Sequence, residues 1–309
     1  MIDFETFLTE LYVMVDDFCK SKPIVKRQAG RQASLSTSEV VTLAIAGQWY
    51  WFGSERGFYR YLVTHFGQAF PSLPNRSQLN RLLRENTETT IAFSHYLVKQ
   101  LGATKVPYEA IDASAVPTRD IHRRGNGWLP GLADYGKSNR LGFYEGFHLL
   151  LSVTPIGVIT GFGFGSASTK DATLAETFFA ARAQPHPQLT SVGSPALGSY
   201  LADKGFSLSL KKQEWLSLYG AHVISAPKRN NKQIKWPKQL RRWLASLRQI
   251  VETVFEKLHN TFRLAQERPH DLTGFQARLA SKVALHNFCI WLNLRLDRQP
   301  LAFAELIQV

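Results

Sequence analysis

The order of strand and helix patterns after Pro107 is the feature that most restricts the fold. A first strand pattern covers residues 108–114, and two more, at 147–154 and 157–164, are joined by a Pro-containing turn. Helix and strand patterns then alternate through residues 172–183, 198–202, 208–218 and 222–226, before helix patterns at 238–265 and 277–294. Strands without intervening helices favour an antiparallel meander, whereas the later alternation favours parallel strands with helical crossovers. The chain is therefore predicted to form an α/β fold, with three antiparallel strands followed by parallel strands in a mixed sheet flanked by helices.

Residues 1–103 are predicted to form a separate helical domain. Apolar residues recur at helical spacing from Phe4 onward, and Ser36 with Glu39 matches a capping box at the start of a further helix. A short helix pattern at 77–84 is rich in arginine. Several short helices, one of them basic, fit a helix-turn-helix-like DNA-binding domain. A helical bundle with solvated arginines fits the same pattern equally well.

The charge balance favours a polyanionic partner. The chain has 37 Lys and Arg against 24 Asp and Glu, which gives a net charge of +13 over 309 residues. Nucleic acid, an anionic membrane surface and a heparin-like polymer all satisfy such a charge, and nucleic acid is the partner that we expect.

The cysteine content and the hydropathy pattern exclude other classes of protein. Two cysteines, Cys19 and Cys289, cannot form a disulfide framework, and no Cys/His cluster has zinc-finger spacing. We therefore expect a reducing, cytoplasmic location. The first residues lack the layout of a signal peptide, and the least polar long segment, 143–165, contains a glutamate, a histidine and a proline. No membrane association is expected.

Three acidic residues occupy positions where the predicted sheet would bring them together. Asp112 lies inside the apolar first strand, where an ionised carboxylate is costly unless it is paired or binds metal. Asp203 ends the strand after the first crossover helix, and Glu252 lies on the long helix beside the sheet. Because all-oxygen ligand sets suit Mg²⁺ or Mn²⁺, these residues predict a divalent-metal site.

Each of these acidic residues also has a purely structural interpretation. Asp112 can be a buried aspartate bonded to backbone amides, and Asp203 can be a turn residue before Gly205. Glu252 can be a solvated helix position, and Glu256, one turn further along, is its rival as the third acidic residue.

Two basic segments are predicted to contact a phosphate backbone, which requires charge neutralisation more than base reading. The first is a glycine-rich loop at 117–142, and the second runs from 228 to 248 with no acidic residue and two interleaved tryptophans. With the lysine that follows Asp203, the candidate DNA-binding residues are Arg123, Arg124, Lys137, Arg140, Lys204, Lys228, Arg229, Lys232, Lys235, Arg241, Arg242 and Arg248. A solvated loop is the alternative for the second segment.

The chain resembles bacterial insertion-sequence transposases of the DDE superfamily. The resemblance covers most of the chain and includes residues 35–43 (Leu-Ser-Thr-Ser-Glu-Val-Val-Thr-Leu) and 70–81, then Ile111-Asp112-Ala-Ser, Ala202-Asp203-Lys-Gly-Phe and Arg248-x-x-x-Glu252. The last two motifs together are fairly specific, whereas each alone is weak. The resemblance implies a ribonuclease H-like catalytic domain at 104–309, in which Asp112, Asp203 and Glu252 are the acidic residues.

Several motif positions depart from the pattern of these transposases. Related chains often carry a tyrosine three residues before the arginine and a lysine seven residues after the glutamate, where this chain has Ala245 and His259. On the second strand, His148 occupies a position that is often lysine. A core histidine is the alternative to a DNA contact for His148.

The resemblance implies an enzyme of DNA transposition, with metal-dependent cleavage at element ends and strand transfer into target DNA. Two Mg²⁺ ions, with Mn²⁺ as a substitute, would lie ~3.5–4 Å apart on the three carboxylates, and Asp112 would bridge them. The implied partner is double-stranded DNA, both element ends and target, bound by a homodimer because two ends must be brought together.

Two other functions stay open at this point. A metal-dependent nuclease without strand transfer would use the same fold and the same carboxylates. A catalytically inactive DNA-binding regulator would bind DNA without cleaving it. Clustered carboxylates near phosphates argue against the regulator, because a protein that only binds DNA has no use for them.

Overall fold

The computed structural model describes residues 1–21, 34–119, 122, 129–183, 198–227 and 234–308. The chain divides into two compact units, one formed by Met1–Tyr96 with Thr273–Val309 and the other by Leu97–Leu272. The first boundary lies near the predicted division at residue 103. Thr273–Val309, however, group with the N-terminal helices and not with the rest of the segment 104–309. That the units act as the predicted functional domains stays a prediction.

The first unit is helical, as its apolar spacing predicts. It contains β1 (Ile2–Asp3), α1 (Phe4–Lys20), α2 (Thr37–Ala46), α3 (Glu55–His65), α4 (Arg76–Glu85), most of α5 (Thr87–Gln100), α9 (Leu272–Arg295) and β8 (Ile307–Gln308), and its two short strands pair in parallel. The predicted capping box is confirmed, because the Glu39 backbone N–H donates to Ser36 Oγ and the Ser36 N–H donates to the Glu39 carboxylate. No helix in the described ranges of the chain is long and apolar enough to cross a membrane.

The second unit is built on a mixed sheet. Its strands are β2 (Glu109–Arg119), β3 (Asp134–Ser138), β4 (Gly142–Val153), β5 (Ile159–Ser166), β6 (Ser199–Ala202) and β7 (His222–Ser225). β4 is antiparallel to β2, β3 and β5, whereas β2, β6 and β7 run parallel to one another. The predicted order of antiparallel strands followed by parallel ones is confirmed, and it is that of a ribonuclease H-like fold.

Helices cover both faces of this sheet. They are α6 (Asp171–Ala183), α7 (Ser209–Tyr219) and α8 (Lys238–Glu256). Ile111 of β2 packs into a core with Phe179 of α6 and Trp215 of α7. On the opposite face, α8 packs against the sheet near Leu201. Because side chains alternate along a strand, Asp112 lies on the face covered by α8.

A buried ion pair connects α6 to the sheet on the face opposite α8. The Arg182 guanidinium donates to the Glu109 carboxylate and, at 2.9 Å, to the Tyr200 hydroxyl. The Ser152 hydroxyl also donates to Glu109. Both charged side chains are nearly inaccessible, since their exposed fractions are 3% for Arg182 and 0% for Glu109. The pair therefore depends on these internal partners rather than on water.

The structure differs from the sequence prediction in two places. The segment 117–142, predicted as a loop, contains the end of β2 and the whole of β3, a short polar strand without the apolar run that identifies buried strands. The continuous helix predicted over 238–265 ends at Glu256 and is followed by a π-helical turn. The apolar spacing continues beyond that point, but Arg263 has a φ of +56°, which no α-helical residue adopts.

Candidate active site

Two of the predicted acidic residues lie on neighbouring parallel strands, Asp112 near the start of β2 and Asp203 directly after the end of β6. In the pairing of β2 with β6, Ala110 lies opposite Leu201. Asp112 and Asp203 each follow two residues later, so the same register places them next to each other on the face that α8 covers. The sequence prediction that the sheet brings these two residues together agrees with this geometry.

Asp112 is held between a cation and neighbouring carboxylates. Its Oδ2 lies 3.0 Å from an Arg248 guanidinium nitrogen, and the Ala113 N–H donates to Oδ1 at 2.9 Å. Burial raises the pKa of Asp112 to about 6, against the opposing effects of Arg248 and the Ala113 N–H. The negative charges of Asp203 and Asp171 raise this pKa further. Asp112 therefore has one cationic partner, Arg248, and two acidic neighbours.

Asp203 caps the short turn that follows β6. Its Oδ1 accepts a hydrogen bond from the Gly205 N–H at 2.5 Å, which is the turn geometry that the sequence offered as a structural alternative. This hydrogen bond fixes the carboxylate close to the strand end. Asp203 can therefore cap this turn and also contribute its carboxylate to the site.

Asp171 is a site residue that the sequence analysis missed. It is the first residue of α6, and a Cβ added at Gly205 would lie 2.8 Å from both its Oδ2 and Asp203 Oδ1. The two carboxylates therefore approach the same point, which only glycine leaves open. Burial and the charge of Asp203 raise the pKa of Asp171, whereas His148 lowers it. Its position between a strand and a helix, like that of Asp203, was the signal available in the sequence.

His148 contacts residues at and just before the start of α6. This half-buried side chain lies with Nδ1 3.1 Å from the Thr169 carbonyl oxygen and Nε2 3.5 Å from Asp171 Oδ1. It therefore links the segment before α6 to the first carboxylate of that helix.

Glu252 and Glu256 both lie on the exposed side of α8. At about 100° per residue, Glu252 lies about 40° around the helix from Arg248, and Glu256 about 80°. Lys257 Nζ at 3.4 Å and Asn260 Nδ2 at 3.2 Å contact the Glu256 carboxylate. Across the described part of the chain, no group of three or more His, Cys, Asp or Glu side chains is arranged to hold a metal ion. The structure thus places Asp203 and Asp171 near Asp112 without arranging the three around a metal position, and it leaves Glu252 on the exposed side of α8.

The predicted DNA-binding residues occupy different environments. Arg248 pairs with Asp112, and Arg140 donates to the Ala115 carbonyl at 3.2 Å. Besides Arg140, the exposed residues of this set are Lys137, Lys204, Lys235, Arg241 and Arg242. Arg123, Arg124, Lys228, Arg229 and Lys232 lie outside the described residues.

His259 is buried beside the strand that carries Asp112. Its Nε2 lies 3.1 Å from Ser114 Oγ and 3.5 Å from an Arg140 guanidinium nitrogen. Burial, and then the charge of Arg140, lowers the pKa of His259 to about 4. The imidazole is therefore neutral in the folded protein at neutral pH.

This neutral histidine predicts a loss of stability in acid. A histidine that titrates near 6.5 in the unfolded chain and near 4 in the folded one contributes full stability above pH 6.5, and this contribution falls as the pH decreases to 4. The expected loss is about 3 kcal/mol. His259→Gln, which keeps a polar group near the Nε2 position, is expected to flatten this part of the pH profile in urea unfolding. His222→Gln, at an exposed position of β7, is the matched control. Equal pH profiles for wild type and His259→Gln would contradict the prediction.

The fold and the carboxylates on two neighbouring strands define a class of proteins, the ribonuclease H-like proteins with acidic residues on their central strands. The family model described as transposase DDE domain matches residues 110–288, more than half of the chain. The chain therefore belongs to the transposase DDE domain family. No curated protein matches it. The matched range includes Asp112, Asp203 and Glu252.

Proposed function

We propose that the chain cleaves DNA at the ends of a mobile element and joins the freed strand to a target DNA. The three acidic residues that would carry out this reaction are Asp112, Asp203 and Glu252. The observation that supports this most strongly is the register of β2 and β6, which places Asp112 beside Asp203 in a chain of the transposase DDE domain family. A nucleotidyl-transfer reaction of this kind needs anionic ligands at a strand edge that DNA can reach.

The chemistry of the carboxylates fits a divalent cation. Hard cations such as Mg²⁺ prefer oxygen ligands, and the charge of Asp203 helps to raise the pKa of both Asp112 and Asp171, which shows that these carboxylates are near one another. Asp112, Asp203 and Glu252 would hold two Mg²⁺ ions, for which Mn²⁺ can substitute. Bound Mg²⁺ supplies Lewis-acid activation of the attacking and leaving oxygens.

The neighbours of these carboxylates hold them in place. The Arg248 guanidinium lowers the pKa of Asp112 and so favours its charged form. The Gly205 N–H orients Asp203.

Glu252 is a better candidate than Glu256 for the third acidic residue of the site. It lies closer to the helix face of Arg248, and Glu256 already has two side-chain partners.

Exposed basic residues near the carboxylates are suited to hold the phosphate backbone. Lys204 follows Asp203 directly, and Arg241 lies about 20° around α8 from Arg248, so both flank the acidic edge. Their charges neutralise phosphates without reading bases. The helical first unit would recognise element ends, and a homodimer would bring two ends together.

A product analysis tests this function. A supercoiled plasmid carrying the gene of the chain with its own flanking DNA is incubated with the full-length protein and Mg²⁺, together with a labelled target plasmid. Cut ends that become joined to the target support the transposase. Cut ends without joining would identify a nuclease, and binding without cleavage would identify a regulator.

A further inference from the structure

We infer that the β3–β4 hairpin binds unpaired DNA bases by stacking them on two exposed aromatic rings. The surface concerned, called the hairpin face, consists of Tyr135, Lys137 and Phe143. The inference rests on the proposed function, because cleavage and joining at a DNA end expose unpaired bases there.

The pairing of β3 with β4 places these three side chains on one side of the hairpin. Lys137 lies opposite Phe143, and Tyr135 lies opposite Glu145. Directly opposed residues share a face of an antiparallel pair, so Tyr135 and Phe143 are diagonal neighbours. Lys137 Nζ lies 5.3 Å from the centre of the Phe143 ring. The hairpin face thus combines two rings with a cation.

Both rings are largely open to solvent. Tyr135 is 60% exposed and Phe143 is 64% exposed. Glu145, by contrast, is buried and pairs with Arg119. Large exposed rings on a short hairpin are available to a planar partner.

The opposite side of the hairpin is fixed to the rest of the unit. Tyr144 is buried, and a Cβ added at Gly136 would lie 2.6 Å from the Ala167 carbonyl oxygen, so the backbone packs closely there. Asp134 accepts a hydrogen bond from the Ser168 hydroxyl. The rings are therefore presented by a supported strand pair, which lowers the entropic cost of binding.

The turn of the hairpin reaches the strand that carries the catalytic carboxylate. Arg140, in the turn between β3 and β4, donates to the carbonyl of Ala115, three residues beyond Asp112 on β2. The Arg140 guanidinium also lies beside His259, in the π-helical turn that follows α8. A DNA strand at the acidic edge is thus within reach of the hairpin.

The positive charge of the chain indicates which kind of planar partner binds these rings. A chain with a net charge of +13 and a lysine beside the Phe143 ring favours a polyanion. Unpaired bases offer flat π-faces together with phosphates, whereas duplex bases cover those faces by stacking on each other. Single-stranded DNA satisfies both the rings and the charge.

Two double variants of the full-length protein test the inference. Tyr135→Leu with Phe143→Leu keeps apolar surface but removes the rings, whereas Tyr135→Trp with Phe143→Trp keeps them. Binding is measured by fluorescence anisotropy in EDTA, with a labelled oligothymidine of about 15 nucleotides and a duplex of equal length. The leucine pair is expected to bind the oligothymidine roughly tenfold more weakly, and the tryptophan pair to bind it at least as tightly as wild type. Duplex binding is expected to change less than about twofold for both pairs.

Three results would overturn the inference. In the first, the leucine pair binds the oligothymidine as tightly as wild type does. In the second, it binds the oligothymidine and the duplex more weakly by the same factor. In the third, size-exclusion chromatography shows that the leucine pair changes only the oligomeric state. Since the assay contains no divalent metal, it does not depend on the carboxylates. Failure of DNA cleavage would overturn the proposed function, whereas failure of this discrimination would overturn the stacking role alone.

Discussion

Asp112→Asn is expected to lower the rate of DNA cleavage by at least about a thousandfold. Asparagine has nearly the same size and still accepts the Ala113 N–H, which donates to Asp112 Oδ1 at 2.9 Å. It lacks the negative charge that pairs with Arg248 and that a divalent cation requires. The rate is measured as single-turnover nicking of the plasmid substrate, in Mg²⁺ and in Mn²⁺.

A matched carboxylate variant controls for the loss of a negative charge. Glu214 is exposed on α7 and pairs with Lys211 at 2.9 Å. Glu214→Gln is expected to cleave within about twofold of wild type, because exposed ion pairs contribute little. Asp112→Asn is expected to bind duplex DNA as wild type does. A cleavage rate near that of wild type for Asp112→Asn would remove Asp112 from the catalytic centre.

Arg182→Met is expected to cause the largest loss of stability. Methionine leaves the Glu109 carboxylate buried without its cation, and it removes a donor to the Tyr200 hydroxyl. Breaking a buried ion pair from one side costs about 3–5 kcal/mol, because the remaining charge stays desolvated. Urea unfolding monitored by circular dichroism measures the change in the free energy of unfolding.

An exposed ion pair between α6 and α7 provides the comparison for this variant. Lys211 contacts Glu176 at 3.0 Å, and about a third of each side chain is exposed. Lys211→Met is expected to cost less than about 1 kcal/mol. Similar small losses in the free energy of unfolding for Arg182→Met and Lys211→Met would contradict the prediction. They would show that burial does not determine how much the ion pair between Arg182 and Glu109 contributes to stability.

The sequence was sufficient to predict the neighbourhood of Asp112 and Asp203. Apolar strand patterns with one charged residue inside or at the end are unusual, and parallel pairing places such ends at one edge of the sheet. The capping box at Ser36 was predictable for a similar reason, because it depends on residues only three positions apart.

Features that depend on distant pairing could not be predicted in the same way. β3 lacks an apolar run, and it exists as a strand because β4 supplies its hydrogen bonds. The approach of Asp171 to Asp203 depends on the absence of a side chain at Gly205, and no local pattern shows this. The ion pair of Arg248 with Asp112 joins residues 136 positions apart in the chain, so the sequence showed a basic residue without its partner.

Binding of Mn²⁺ by the metal-free protein tests most directly whether the acidic edge is a metal centre. Free Mn²⁺ is followed by electron paramagnetic resonance during titration of wild type, Asp112→Asn, Asp203→Asn, Glu252→Gln and Glu256→Gln. We expect wild type and Glu256→Gln to bind alike, and the other three variants to bind at least about tenfold more weakly. Equal Mn²⁺ binding by wild type and Asp112→Asn would contradict a metal centre at this edge.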